Sequence, residues 1–163
     1  MPRSSKPRHP YNKLRLQLIA QRVAMRDQAV SVFKPLLSII DEMEHDGTTD
    51  SARGVPVLLN QQDGHYYELA PTIIGLVEMF EIHQMRSGQD LGHSILRTFA
   101  TMLDHGMPVT PADTTKVRKT IATMISAIEH WQPSYAKELA DTVETRALLE
   151  GSISGPIQQE QAA

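Results

Sequence analysis

The stretch from Thr72 to Arg86, TIIGLVEMFEIHQMR, constrains this chain more than any other. If it is helical, Ile73, Ile74, Leu76, Val77, Met79, Phe80, Ile82 and Met85 leave almost no polar side. A helix apolar nearly all round is stable in water only when neighbours pack on most of its sides. The segment is therefore expected to be the central helix of a bundle. Glu78 and Glu81 lie one turn apart in it, and at about 100° per residue they share a face with Ile74 and Met85. Both carboxylates are expected to form buried ion pairs with basic residues of a neighbouring helix or of a second copy.

The rest of the chain reads as the neighbours of that helix. Asn12 is a candidate N-cap for a first helix over Lys13 to Phe33. Pro35, which a helix interior tolerates poorly, should kink this helix or start a second segment running to His45. Residues 46–54, DGTTDSARG, have loop composition. Two short strands, Val55–Asn60 and His65–Leu69, flank Asp63-Gly64 and read as one β-hairpin, with Tyr66 and Tyr67 pointing to opposite sides. After the central helix, Asp90 should cap a helix over Leu91 to His105. Thr110-Pro111-Ala112-Asp113 should open one that carries the stripe Val117, Ile121, Met124, Ile125, Ile128 and Trp131. A last helix is expected over Tyr135 to Glu150. The fold class is thus mainly α, with about six helical segments and one hairpin at about 55–60 and 65–69. Residues 1–11 read as a mobile basic arm, 12–151 as one domain and 152–163 as a disordered tail.

Charge is distributed unevenly. Through Lys34, eight basic residues (Arg3, Lys6, Arg8, Lys13, Arg15, Arg22, Arg26 and Lys34) face one acid, Asp27, for a charge of +7. The remainder carries eight basic and eighteen acidic residues, for −10. A basic start on an acidic body fits an arm that reaches for nucleic acid or docks on an acidic protein, a second copy included. On the first helix, Leu14, Leu18, Met25 and Ala29 form one apolar stripe, and Leu16, Ile19, Val23 and Val30 form another. Arg15, Arg22 and Arg26 fall between the two. That face should be covered, with the arginines snorkelling or pairing with acids, or else binding phosphates or an acidic surface. Lys116, Arg118 and Lys119 read as a solvated face.

Catalytic signatures are lacking. There are no cysteines, which excludes disulfides, thiolate zinc sites and cysteine nucleophiles. No G-x-S-x-G elbow, Walker loop or dinucleotide glycine pattern occurs. Glu42-Met-Glu-His45 is an E-x-x-H, the spacing used in di-iron bundles, but such sites need a second copy of that motif, and the chain has none. No catalytic residue, metal or cofactor is expected. No apolar run approaches the ~20 residues of a membrane span, and the first ten residues lack the apolar core of a signal peptide, so a cytoplasmic protein is expected.

Lys6-Pro-Arg8-His-Pro10-Tyr-Asn12, the helix containing Arg22 and the hairpin with Tyr66-Tyr67 resemble small phage and mobile-element proteins of proteobacteria that begin with a basic Lys/Arg-Pro-Arg leader. The resemblance implies an accessory protein that binds a host or phage macromolecule, inhibitors of host defence systems among them. The expected function is a non-catalytic regulatory or inhibitory homodimer. It would engage its partner through Arg3, Lys6, Arg8, Lys13, Arg15, Arg22 and Arg26. The alternatives are sequence-tolerant nucleic-acid binding and a carboxylate/His metal protein.

Overall fold

A computed structural model describes residues 10–46, 51–52, 55–59 and 66–150, with side chains over 13–45 and 68–146. The chain is mainly helical. Its elements are α1 (Pro10–Asp46), β1 (Ser51–Ala52), β2 (Val55–Leu59), β3 (Tyr66–Glu68), α2 (Leu69–Ser87), α3 (His93–Asp104), α4 (Pro111–Ile128) and α5 (Pro133–Glu150). The described residues thus form five helices, against the six segments expected. The difference lies at Pro35, which sits inside one continuous helix of 37 residues. Proline there removes the amide that would bond to the Ser31 carbonyl. Ser31 is exposed, so water can take that carbonyl, while Phe33, Leu36, Ile39 and Ile40 are buried on both sides of the proline and hold the helix together. Packing outweighs the local penalty. The start also differs, because α1 already runs through Asn12 from Pro10, a residue well suited to a first helical turn.

The β structure is small. In place of a single hairpin over 55–60 and 65–69 there are three short antiparallel strands in the order β1-β2-β3, with Val57 opposite Glu68 and Leu59 opposite Tyr66. The Asp63-Gly64 turn and the side chains of Tyr66 and Tyr67 lie outside the described residues.

β3 runs directly into α2, whose Leu69, Ile73, Val77, Phe80, Ile82 and His83 are buried. α2 is central but not enclosed: Ile74, Leu76 and Met79 are half-buried and Met85 is exposed. Phe80 joins α2 to α1 and to the α4–α5 connection. Its ring stacks on Phe33 of α1 at 6.3 Å and meets Trp131, just before α5, at 5.9 Å. Gly88 closes α2 in the left-handed conformation (φ 74°), donating its N–H to the Gln84 carbonyl. The next turn departs from expectation. Asp90 accepts from the Gly92 N–H at 2.8 Å, and Gly92, at φ 84°, takes the cap position so that α3 starts at His93. An Asx turn has used the carboxylate that would have capped a helix from Leu91. α4 opens with a full capping box: Thr110 Oγ1 accepts from the Asp113 N–H, and the Asp113 carboxylate accepts from the Thr110 N–H at 2.8 Å, with Pro111 in the first turn.

The C-terminal half of α1 is clipped to α4 as well as packed on it. Arg118 donates twice to Glu44, at 3.2 and 2.8 Å, and also to Asp41. A residue expected on a solvated face is the cation of an interhelical network. Phe80→Ala should lower the unfolding free energy by about 3–5 kcal/mol in urea titration, because a buried aromatic packed between α1 and the α4–α5 connection leaves a cavity that its neighbours only partly close.

Candidate functional site

α1 divides into two halves. From Met25 onward one side of it is buried, with Ala29, Phe33, Leu36 and Ile40 following at helical spacing. From Lys13 to Ala24 every residue is exposed apart from the half-buried Gln21. At about 1.5 Å per residue, Lys13 to Ala24 make a rod roughly 17 Å long. Large apolar side chains lie open along it: Leu14 is 61% exposed, Leu16 65%, Leu18 54%, Ile19 49% and Val23 55%.

This corrects the expectation that the arginine-bearing face would be covered. The stripe that begins with Leu14 and Leu18 points the same way as Met25 and Ala29, but the bundle ends before it reaches them. The second stripe is uncovered even where α1 is packed, since Val30 is 41% exposed. Among the described residues no carboxylate pairs with Lys13, Arg15 or Arg22, while Arg26 donates to Glu129 at 3.1 Å. Arg3, Lys6 and Arg8 lie outside the described residues.

Glu78 and Glu81 do not meet these arginines. Glu81 pairs with Arg97 of α3, and both side chains are more than a third exposed. Glu78 is half-buried and makes no ion pair with another described residue. The acids of α2 serve the α2–α3 contact because the projecting arginines lie beyond the reach of the bundle. Among the described residues the E-x-x-H gathers no further metal ligands. Glu42 is exposed, Glu44 is engaged by Arg118, and among the described residues no group of three or more His, Asp or Glu side chains could hold an ion. A groove of about 190 Å³ between α3 and α4 has Asp113 and Lys116 on its wall, but Asp113 is already committed to the α4 cap. Small-molecule sites are usually about 300 Å³ or larger.

No family model, curated protein or solved structure matches this chain. Its geometry is therefore the ground for any functional argument.

At the end of α2 a polar cluster forms around the buried His83, which no spacing in the chain signals. His83 packs against the Trp131 ring at 4.6 Å, with its Nδ1 2.7 Å from the Tyr135 hydroxyl and its Nε2 3.0 Å from Gln89 Oε1. One neutral tautomer satisfies both contacts: Tyr135 O–H donates to Nδ1 and Nε2–H donates to Gln89. Ser87 Oγ lies 3.3 Å from Nε2, yet at 2.7 Å it donates to the His83 carbonyl, so its proton caps the helix and the pair is no nucleophile and base. Partial burial pushes the Tyr135 hydroxyl above its ordinary pKa. The cluster locks the α2 end to α5. Its only available signals were His83 and Ser87 one turn apart and Trp131 and Tyr135 likewise, and neither pair points to the other.

Two measurements test these assignments. Tyr135→Phe leaves the buried Nδ1 without its donor and should cost about 1–3 kcal/mol of stability in denaturant titration, with a change in Trp131 fluorescence. The Arg118 and Thr114 hydrogen bonds hold the Glu44 carboxyl below its ordinary pKa. Its contribution is thus complete above the ordinary glutamate value and fades as pH falls through the lowered one. Glu44→Gln should lower Tm at neutral pH, and the gap to the parent chain should close on acidification.

Proposed function

We propose that this chain is a non-catalytic regulatory or inhibitory protein that binds an acidic macromolecular partner through the projecting half of α1 and the basic segment before it. One observation carries this reading: Lys13 to Ala24 form a helix that exposes Leu14, Leu18, Arg15 and Arg22 on adjacent turns. Isolated exposed leucines are ordinary, but a run of them on a helix already held in shape is a surface that contact with a partner would cover. Apolar anchors flanked by arginines suit an acidic protein groove, since such helices dock by side chains at i and i+4. A preformed helix also lowers the ordering cost of binding. The leader's resemblance to phage and mobile-element proteins supports a partner in host machinery. Cytoplasmic action belongs to the same proposal; no described helix is long and apolar enough to cross a membrane.

Direct nucleic-acid binding is the second reading, and the unpaired state of Lys13, Arg15 and Arg22 among the described residues favours it. A photocrosslinker placed at Leu18 in the full chain should capture one protein from a lysate of the native host, with none captured from Thr145 on α5. Arg15→Glu/Arg22→Glu should weaken that capture by about tenfold or more. Anisotropy with duplex DNA and single-stranded RNA separates the two readings. Tight binding that falls steeply with salt and is lost in the same variant would replace the protein partner with nucleic acid.

A further inference from the structure

The second stripe of α1 has its own periodicity. Leu16, Ile19, Val23, Arg26 and Val30 follow one another at steps of three, four, three and four, the a/d pattern of a coiled-coil seam. This edge is open along its whole length, from Leu16 on the projecting half to Val30 beside the bundle. At about 100° per residue it lies roughly 100° round the helix from the buried Met25–Ala29–Phe33 side. Arg26, the one polar residue in the pattern, has its guanidinium drawn aside to Glu129, which leaves its methylene stem on the seam.

We infer that this edge is covered by α1 of a second copy, in a parallel two-stranded coil through Leu16, Ile19, Val23 and Val30. The charges fix the direction. With Leu16 and Val23 at a positions, Arg15 and Arg22 fall at g and Ala20 and Asp27 at e. A parallel pair sets each g residue against the e residue five positions on in the other copy, so Arg22 meets Asp27 twice across the dyad and Arg15 meets a neutral alanine. An antiparallel pair sets the arginine flank of one helix along that of the other, where like charges repel. Asp27 is the single acid in the first 34 residues, it is exposed, and it forms no ion pair with another described residue. A membrane surface suits the helix less well, because the arginine row splits its exposed apolar side chains into two stripes. The seam does not depend on which partner meets Leu14, Leu18 and Arg15, and its test reads mass rather than partner binding.

Sedimentation velocity and light scattering of the full chain, from low micromolar to millimolar, should show a monomer–dimer equilibrium. Ile19→Glu/Val23→Glu should give a monomer with unchanged helicity and Tm, as both positions are open in the single chain. Arg22→Asp and Asp27→Arg should each weaken the dimer by about tenfold or more, and the two together should restore it. Because the chain has no cysteine, Leu16→Cys should oxidise to a linked dimer, which only the parallel register allows. A monomer at every concentration would overturn the inference, as would a dimer indifferent to Ile19→Glu/Val23→Glu. Failure of the double charge swap to restore association would overturn the parallel register. A monomer whose binding to a duplex DNA or to anionic vesicles falls in Ile19→Glu/Val23→Glu would assign the edge to that surface instead, and would overturn the inference as well.

Discussion

The C-terminal half of α1 is held from two sides. Phe33 stacks on Phe80, which in turn meets Trp131, so α1, α2 and the entry to α5 share one aromatic contact. Arg118 fastens the same half of α1 from outside by gripping Asp41 and Glu44. The side chains of this network are all at least a third exposed, so each pair contributes modestly. Their value is geometric. A guanidinium bonded twice to one carboxylate and once to another one turn earlier fixes the azimuth of α1 as well as its distance from α4. With that half fixed, the other half must project in a set direction, and its stripes and arginine row face defined sides.

How much of this the sequence revealed depended on how local each signal was. The capping box of Thr110 and Asp113 is settled by residues within one turn, and it lies where the pattern placed it. Pro35 was also a local signal, but packing on both sides of it overrode the propensity, and two segments became one helix. Arg118 looked solvated because its partners lie 74 and 77 residues earlier in the chain. His83 went unnoticed for the same reason, its hydroxyl donor being 52 residues away. Long-range pairing leaves no periodic trace. The candidate site was half legible: the two stripes and the arginine row on the first helix were readable from spacing, but their exposure was not. Periodicity says which residues share a face and nothing about where the neighbouring helices stop.

The end of α2 shows what became of the polar residues in the most apolar segment. Glu81 turns outward to Arg97, while His83 turns inward and is satisfied by Tyr135 and Gln89. A buried imidazole with both nitrogens bonded costs little and orients its partners, whereas one left half-bonded would be among the worst liabilities of a small core. The network thus joins a loop residue, Gln89, to the first turn of α5.

The arginine row on α1 limits what can meet this helix. Arg15, Arg22 and Arg26 project between the two apolar stripes, so a flat apolar surface covering both would bury guanidinium groups without acceptors, at a cost larger than the gain from the leucines. Coverage of both stripes therefore requires either a partner that carries acids along its midline or two separate partners, one for each edge. The contacts proposed above follow the second arrangement. Arg26 is already bound to Glu129, so the row is neutralised on the body side and open only toward the tip. The edge through Val30 stays uncovered where α1 is packed, and the edge through Leu14 and Leu18 becomes open only where the bundle ends. The two edges thus differ in length and in their distance from the body, which fits two contacts of different kinds better than one continuous interface.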